Sequence, residues 1–152
     1  MTLRIIAVGK RHEAWVNEGI DRYEKRLKKP FAVEWVFLPH SAREGTAARQ
    51  EESERIISRL PANEYVILLD ERGKVFDSPA LSRLLLAPLE SSTNVTIIIG
   101  GAYGVDESVH QRANVVWSLS LLVFPHQLVR LILIEQLYRA QEIAAGGPYH
   151  HV

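Results

Sequence analysis

Four short runs of β-branched and other apolar residues constrain the fold of this chain more than any other feature. Each run is bounded by turn-forming or charged residues and lacks polar alternation, which is typical of strands buried on both faces. The runs cover residues 3–9, 32–38, 65–70 and 95–100. Segments with helical spacing of apolar residues separate them. This alternation predicts the α/β class, with a parallel sheet flanked by helices.

Three helices are predicted between the strands and a fourth near the carboxyl end. They cover residues 13–28, 46–60, 78–86 and 126–145, and the last is closed by two glycines. In the third helix we expect Ser78 to be the cap and Pro79 the first helical residue. Residues 70–74 predict a tight turn after the third strand. Two serines interrupt the apolar stretch 115–125, where we expect no regular strand.

Length and composition limit the classes of protein. A chain of 152 residues is the size of one domain, and no linker or repeat divides it, so we expect residues 1–152 to form a single domain. The absence of cysteine excludes disulfides and thiolate ligands. No pair of the six histidines has helical metal-ligand spacing, so no metal is predicted. No apolar run is long enough to span a bilayer, and we expect a cytoplasmic protein.

Charge and the last helix give the first indications of partners. Lysine plus arginine equals aspartate plus glutamate, 18 against 18, which argues against binding of bare nucleic acid by bulk electrostatics. The helix at residues 126–145 is apolar around most of its circumference, whereas a surface helix has an apolar stripe only. Either it is central in the core, or it is divided between the core and a second subunit, which would make the protein a homodimer.

Glycines at the end of the fourth strand raise the question of a ligand. The sequence Thr-Ile-Ile-Ile-Gly-Gly-Ala-Tyr-Gly covers residues 96–104. Ligands of open α/β sheets bind at the carboxyl ends of strands, and a glycine lets a ligand approach the backbone. A tight turn that needs positive φ explains the same residues. The glycine patterns of dinucleotide and phosphate loops are absent.

Longer motifs favour a ligand site over a simple turn, because they resemble the motifs of a known protein family. They are Leu-Leu-Asp-Glu-Arg-Gly-Lys at 68–74, Ile-Ile-Gly-Gly-Ala-Tyr-Gly at 98–104, the stretch 117–140 and Pro-Tyr-His-His at 148–151. With them, the carboxyl half resembles the ribosomal RNA large-subunit methyltransferase H family of the SPOUT class. The resemblance implies a carboxyl-terminal trefoil knot, a homodimer, and methylation of N3 of a pseudouridine in 23S ribosomal RNA with S-adenosylmethionine as methyl donor.

The resemblance also implies which residues bind the cofactor. By position in the matching motifs, they are Leu69, Gly101, Ser120, Leu121, Leu122, Val123, Phe124 and Pro125. Such residues suit adenine, which needs an apolar slot with backbone donors and acceptors at its edge. Gly101 would let the backbone approach the cofactor because it has no Cβ.

Candidates for catalysis come from the last helix and the tail. His126 begins the helix, where the dipole favours a neutral imidazole that can accept the N3 proton, although a residue there can equally serve only to bond a nearby loop. The family tail adds Tyr149 and His150. Many members have Arg or Lys where this chain has His151, which leaves Arg130 and Arg139 as other sources of positive charge or as structural residues.

The sequence also leaves other functions open. The near-zero net charge favours an enzyme that acts on assembled ribosomes, where shape contributes to recognition. A dimeric α/β module that binds a nucleotide without catalysis is the main alternative. A homodimer with a purely structural role is the third.

Overall fold

The computed structural model describes residues 2–151, and strands alternate with helices through most of that range. The strands are β1 (Leu3–Val8), β2 (Val33–Leu38), β3 (Tyr65–Val75), β4 (Val95–Ile99) and β5 (Val115–Ser118). The helices are α1 (Ala14–Glu24), α2 (Gly45–Ile57), α3 (Ser78–Glu90), α4 (Glu107–Arg112) and α5 (His126–Ala144).

All paired strands run parallel and form one sheet in the order β2-β1-β4-β3-β5. β4 is the central strand, and each of its residues is buried, as expected of a strand with neighbours at both edges and helices on both faces. The predicted parallel α/β class is confirmed. The order also brings the carboxyl ends of β3, β4 and β5 side by side, where a ligand site is expected.

Two apolar layers cover the sheet. On one face α1, α3 and α5 pack on alternate strand residues such as Ile5, Ile67 and Ile97. On the other face α2 and α4 pack on the intervening residues, including Ile6 and Ile98. These assignments follow from the period of two in a strand, since neighbouring side chains point to opposite faces. The helices therefore form the outer layers of a three-layer sandwich.

The sheet differs from the sequence prediction at its β3–β5 edge. Residues 115–118 form β5, although no strand was predicted there. The prediction was wrong because Ser118, which argued against a strand, is itself buried in the sheet. Residues 70–74 do not form a simple tight turn. β3 continues to Val75, and both Leu69 and Lys74 pair with Trp117 across an irregularity. That irregularity bends β3 beside the cleft described below.

Most of the predicted helices are confirmed, but their ends differ from the predicted ends. α4 was not predicted, because six residues are too few for a helical period to be recognised. Asp77 and not Ser78 caps α3, since its side chain accepts a hydrogen bond from the Ala80 N–H at 2.8 Å. Pro79 lies one position inside the helix. Within residues 2–151 no helix is long and apolar enough to cross a membrane.

The apolar helix α5 is divided between the core and an open groove, and the expectation that a second subunit covers its outer part stays a prediction. Leu133, Ile134 and Leu137 are fully buried against the sheet. Leu128 and Leu131 instead line an open groove shared with α1. The trefoil knot implied by the resemblance stays a prediction.

Candidate active site

A cleft of about 740 Å³ lies at the carboxyl ends of β3, β4 and β5. Its volume is in the range of small-molecule sites. Six of the eight residues predicted to bind the cofactor line it: Leu69, Gly101, Ser120, Leu122, Val123 and Phe124. Leu121 and Pro125 belong to the same segment but do not line the cleft. The first of the predicted catalytic residues, His126, lies at its edge.

The segment between β5 and α5 forms an apolar wall of this cleft. Leu121, Leu122 and Val123 are 89%, 70% and 75% exposed. Ser120 fixes the bend, since its Oγ accepts a hydrogen bond from the Leu122 N–H at 3.0 Å and its carbonyl accepts one from the Ser118 hydroxyl at 2.7 Å. Three consecutive exposed apolar side chains are costly in water, so this segment, of which Leu122 and Val123 line the cleft and Leu121 does not, is suited to being covered by a ligand or a second chain.

Gly101 lines the cleft, but the contact that requires a glycine is on its other side. A Cβ at this position would lie 2.5 Å from Oε1 of Glu52 and 3.2 Å from Cγ1 of Val8. Its φ lies outside the left-handed region, so backbone strain is not the reason. The expectation that Gly101 must be small to admit a cofactor is therefore incomplete, because protein atoms already exclude a side chain. Gly104, in contrast, has φ of +74° and closes the turn through its N–H to the Gly101 carbonyl.

The surroundings of His126 favour its neutral form through burial and neighbouring charges, and its role as a base stays a prediction. Burial lowers its pKa, and the nearby charges of Arg130 and His40 act in the same direction. The Gly101 carbonyl and the Glu52 carboxylate oppose the shift by favouring the protonated ring. Near neutral pH the imidazole is therefore unprotonated and has a nitrogen lone pair that can accept a proton at the edge of the cleft.

The floor of the cleft contains an ionic group that the sequence analysis did not identify. Asp70 lies 3.1 Å from Arg72 and 3.3 Å from His110. Burial alone would raise the pKa of Asp70, but hydrogen bonds from Arg72 and the charges of Arg72 and His110 lower it below its usual value. Asp70 was assigned to a turn, and only its position after a buried strand could have indicated this site. The group adds polar atoms to the lining of the cleft.

The carboxyl-terminal tail lies on the far part of α5. The Tyr149 hydroxyl donates to Oε1 of Glu135 at 3.1 Å, and Nδ1 of His150 accepts from Arg139 at 3.1 Å. Arg139 also donates to Glu135 at 2.6 Å. Burial, together with the charge of Glu135, raises the pKa of Tyr149 to about 12. The tyrosine is thus a hydrogen-bond donor, and the histidine is held as an acceptor at Nδ1.

The three predicted catalytic residues do not come together within one chain. His126 and Arg139 are 13 positions apart on α5, which is roughly 20 Å along a helix axis at ~1.5 Å per residue. His150 contacts Arg139, so the tail lies well away from the cleft that His126 borders. For these residues to share a site, either the tail must leave its position on α5 or the tail of a second chain must reach the cleft.

A second groove of about 490 Å³ runs between α1 and α5 beside the tail. Trp15, which is 55% exposed, and Tyr23 line it from α1, and Leu128, Leu131 and Ile132 line it from α5. Glu135 links this groove to the tail. Among residues 2–151 no group of three or more potential ligand side chains is arranged to hold a metal ion.

The amino-acid sequence matches a known family of methyltransferases. The chain belongs to the SPOUT methyltransferase family, whose model, described as "Predicted SPOUT methyltransferase", matches residues 1–150. The family membership expected from the resemblance is confirmed.

Individual relatives are similar over the same length. The protein named "Ribosomal RNA large subunit methyltransferase H" in Geotalea daltonii is 41% identical to this chain, over 99% of this chain and 100% of the relative. The protein of that name in Desulfitobacterium hafniense strain DCB-2 is 42% identical, and that of Geobacter metallireducens is 43% identical, each over 99% of both chains. The similarity includes the cleft, the last helix and the tail.

Proposed function

We propose that this protein transfers a methyl group from S-adenosylmethionine to N3 of a pseudouridine in the RNA of the large ribosomal subunit. The observation that carries the proposal is the apolar-walled cleft with a neutral His126 at its edge, in a chain of the SPOUT family. The RNA class follows the names of the relatives. The choice of N3 and of pseudouridine follows the resemblance.

The residues of the cleft suit this cofactor. An adenine ring placed against Leu122 and Val123 would cover apolar side chains that are otherwise in contact with water, which favours binding. Ser120 and Asp70 offer polar atoms at the edge of the apolar wall for the ribose and the amino acid part. When bound, S-adenosylmethionine supplies an electrophilic methyl group. The chain's own residues must then position the base and accept a proton.

The proton at N3 sets the main chemical requirement for the protein. In the reaction N3 forms a bond to the methyl carbon while the carbon–sulfur bond breaks, and the N3 proton leaves to a base. An imide nitrogen is mostly protonated at neutral pH, so a base at the site increases the reactive fraction. The lone pair of neutral His126 is available for that proton. Holding the two reactants in line contributes roughly 7 to 11 kcal/mol in favourable cases.

We further propose that the active form is a cytoplasmic homodimer. The groove between α1 and α5 exposes Trp15 and several leucine and isoleucine side chains, and such a surface is stabilised when a second copy covers it. A second copy also provides a route for Tyr149 and His150 to reach a cleft that their own chain does not bring near them. The equal numbers of acidic and basic residues favour the assembled subunit as substrate over bare RNA.

Mass spectrometry of ribosomal RNA from a strain that lacks the gene tests the activity. We expect one methyl group to be missing from a pseudouridine of the large-subunit RNA and to return when the wild-type gene is supplied. Persistence of that methyl in the deletion strain would exclude the activity. If the purified protein binds S-adenosylmethionine but the methyl is unaffected, the nucleotide-binding module without catalysis is correct. Equal methylation of bare RNA and of intact subunits would exclude the preference for assembled particles.

A further inference from the structure

Tyr103, in the turn between β4 and α4, presents an aromatic ring to the cleft. The residue is 43% exposed and lines the cleft. Among residues 2–151 its side chain belongs to neither apolar layer of the core and pairs with no other aromatic ring. Aromatic side chains contribute most of their energy where they are covered, in cores and in interfaces. The position of Tyr103 therefore indicates a contact with a molecule that enters the cleft.

Helix α2 holds the turn that carries Tyr103 at two points. Nε of Arg49 donates a hydrogen bond to the Tyr103 carbonyl at 2.9 Å, and Oγ of Ser53 accepts one from the Asp106 N–H at 2.9 Å. Arg49 and Ser53 are four positions apart, so they lie on the same face of the helix. The backbone on both sides of the glycine at 104 is thus anchored to α2. Tyr103 is therefore held in place before a ligand binds.

The proposed reaction needs two molecules in the cleft at once, the methyl donor and a base of the RNA. N3 of a pyrimidine lies on its Watson–Crick edge, so the base has to be unpaired when it receives the methyl group. A base that leaves an RNA helix loses the stacking of its neighbours, and proteins that bind such bases replace it with aromatic or apolar side chains. The cleft must therefore offer the base a face on which to stack.

Tyr103 is the aromatic residue that remains for this task. Within the described part of the chain, the tyrosine, tryptophan and phenylalanine residues that line the cleft are Tyr103, Trp117 and Phe124. Trp117 is only 3% exposed and belongs to the core. Phe124 belongs to the segment that we expect to bind the cofactor. Tyr103 combines an accessible ring with a position outside that segment.

The charge next to Tyr103 favours a nucleic acid as the molecule that covers the ring. Arg49 also lines the cleft, and it takes part in none of the salt bridges among residues 2–151. Its hydrogen bond to Tyr103 uses Nε, which leaves Nη1 and Nη2 for an acceptor. Arg72 is different, because Asp70 pairs with it at 3.1 Å. An aromatic ring beside a guanidinium is a combination with which proteins bind single-stranded nucleic acid.

We propose that Tyr103 is a stacking platform for an unpaired pyrimidine of the RNA substrate and that Arg49 is the residue that positions it. The inference rests on the proposed function for the identity of the RNA. It adds the protein surface on which the base lies while the cofactor covers the apolar wall. Arg49 fixes the Tyr103 carbonyl through Nε and presents its other nitrogens to the sugar–phosphate chain of that nucleotide.

Fluorine NMR of protein labelled with fluorotyrosine tests the contact directly, with uridine monophosphate as the probe. The chain contains five tyrosines, and the resonance that disappears in Tyr103→Phe belongs to Tyr103. We expect the nucleotide at millimolar concentration to move this resonance, because the ring current of a stacked base shifts nuclei that lie above its plane. Tyr65 begins β3, at the end of the sheet opposite the cleft, and its resonance should not move. An unmoved Tyr103 resonance would overturn the platform.

Two substitutions of Tyr103 separate stacking from plain apolar contact. Leucine keeps an apolar side chain but has no aromatic face, whereas phenylalanine keeps the face. With large subunits as substrate, we expect KM to rise about tenfold in Tyr103→Leu and Tyr103→Phe to recover most of that loss. Affinity for S-adenosylmethionine should stay within about twofold of wild type in both. Tyr65→Leu makes the same replacement away from the cleft and should leave KM unchanged.

Three results would assign Tyr103 to another task. A loss of S-adenosylmethionine affinity in Tyr103→Leu as large as the change in KM would place the ring against the cofactor's adenine. Dissociation of a dimer in the same variant, measured by sedimentation, would make the ring a contact between subunits. A rise in KM that Tyr103→Phe does not reverse would exclude stacking.

The two measurements also separate this inference from the proposed function, because the NMR titration does not depend on methylation. Movement of the Tyr103 resonance in a protein that methylates no ribosomal RNA would reject the proposed function and retain a site for a pyrimidine nucleotide. Methylation with an unaltered KM in Tyr103→Leu would reject only the platform.

Discussion

Oε1 of Glu52 lies directly against the α-carbon of Gly101, so that a Cβ on Gly101 would be 2.5 Å from it. Glu52 is 2% exposed, and this oxygen has no hydrogen-bond partner among the described residues. A buried carboxylate therefore supports the glycine turn of the cleft from behind. The contact connects α2 to the end of β4 and fixes the position of the Gly101 carbonyl, which interacts with His126.

Substitution of Gly101 by alanine should destabilise the protein through this contact. We expect Gly101→Ala to lower the free energy of unfolding by about 1 to 3 kcal/mol, as overpacking does in cores. In a Glu52→Ala background the same substitution should cost at least about 1 kcal/mol less, because the opposing carboxylate is gone. Urea unfolding of the four proteins of this cycle measures both values. An equal cost in both backgrounds would show that Glu52 is not the obstacle.

The apolar wall of the cleft should contribute to cofactor affinity without contributing to stability. Leu122→Ser is expected to weaken S-adenosylmethionine binding roughly tenfold, since it removes apolar surface that the cofactor would cover. The unfolding free energy should stay within about 0.5 kcal/mol, because the side chain is 70% exposed. Leu121→Ser is the matched control, as Leu121 is 89% exposed and does not line the cleft. Calorimetric titrations that weaken equally for both variants would contradict this assignment.

Burial, followed by the charge of Arg130, lowers the pKa of His12, which predicts a pH dependence of stability. Between the ordinary histidine pKa of 6.5 and the lowered pKa of about 4, the unfolded state binds a proton at this position and the folded state does not. Stability should therefore fall as pH decreases through that interval and level off below it. His126 acts in the same direction. Unfolding measured from pH 7 to 4 should show a shallower slope in His12→Gln than in the wild type, and an identical slope would refute the shift.

The separation of His126 from the tail predicts complementation between two inactive variants. We expect His126→Ala and His150→Ala each to reduce methylation strongly. If the tail of one chain completes the cleft of the other, a mixed dimer contains one site with both histidines intact. Co-expression of the two variants with different affinity tags, followed by isolation of the mixed dimer, should restore part of the activity. A mixed dimer as inactive as its parents would indicate that each chain uses its own tail.

The sequence predicted the sheet well where several residues share one environment. The runs that became β1, β2 and β4 are mainly apolar and are interrupted only by Arg4, Glu34 and Thr96, so composition alone indicates strands there. β5 escaped prediction because its four residues include a serine, and the neighbouring strand decides whether such a segment pairs. The continuation of β3 beyond Asp70 has the same origin. Its charged residues resemble a turn, but their backbone resumes pairing at Lys74.

In the site, the individual buried polar residues could not be predicted from the sequence. Glu52 lies in the polar stretch 49–55, where the sequence does not distinguish it from the other glutamates, and only the packing of α2 against the sheet buries it. Arg130 was considered only as a possible substitute for a cation in the tail. The residues that line the cleft were predicted from the family's motifs, since apolar residues after a strand do not by themselves specify a ligand.

The bond between Arg130 and the Lys10 carbonyl joins the first turn of the chain to its last helix across 120 positions. α1 packs on the same helix. During synthesis the early segments emerge from the ribosomal tunnel long before the helix that completes their packing exists. A nascent chain halted before that helix should therefore remain susceptible to protease along its amino-terminal portion, and protection should appear only once α5 has left the tunnel.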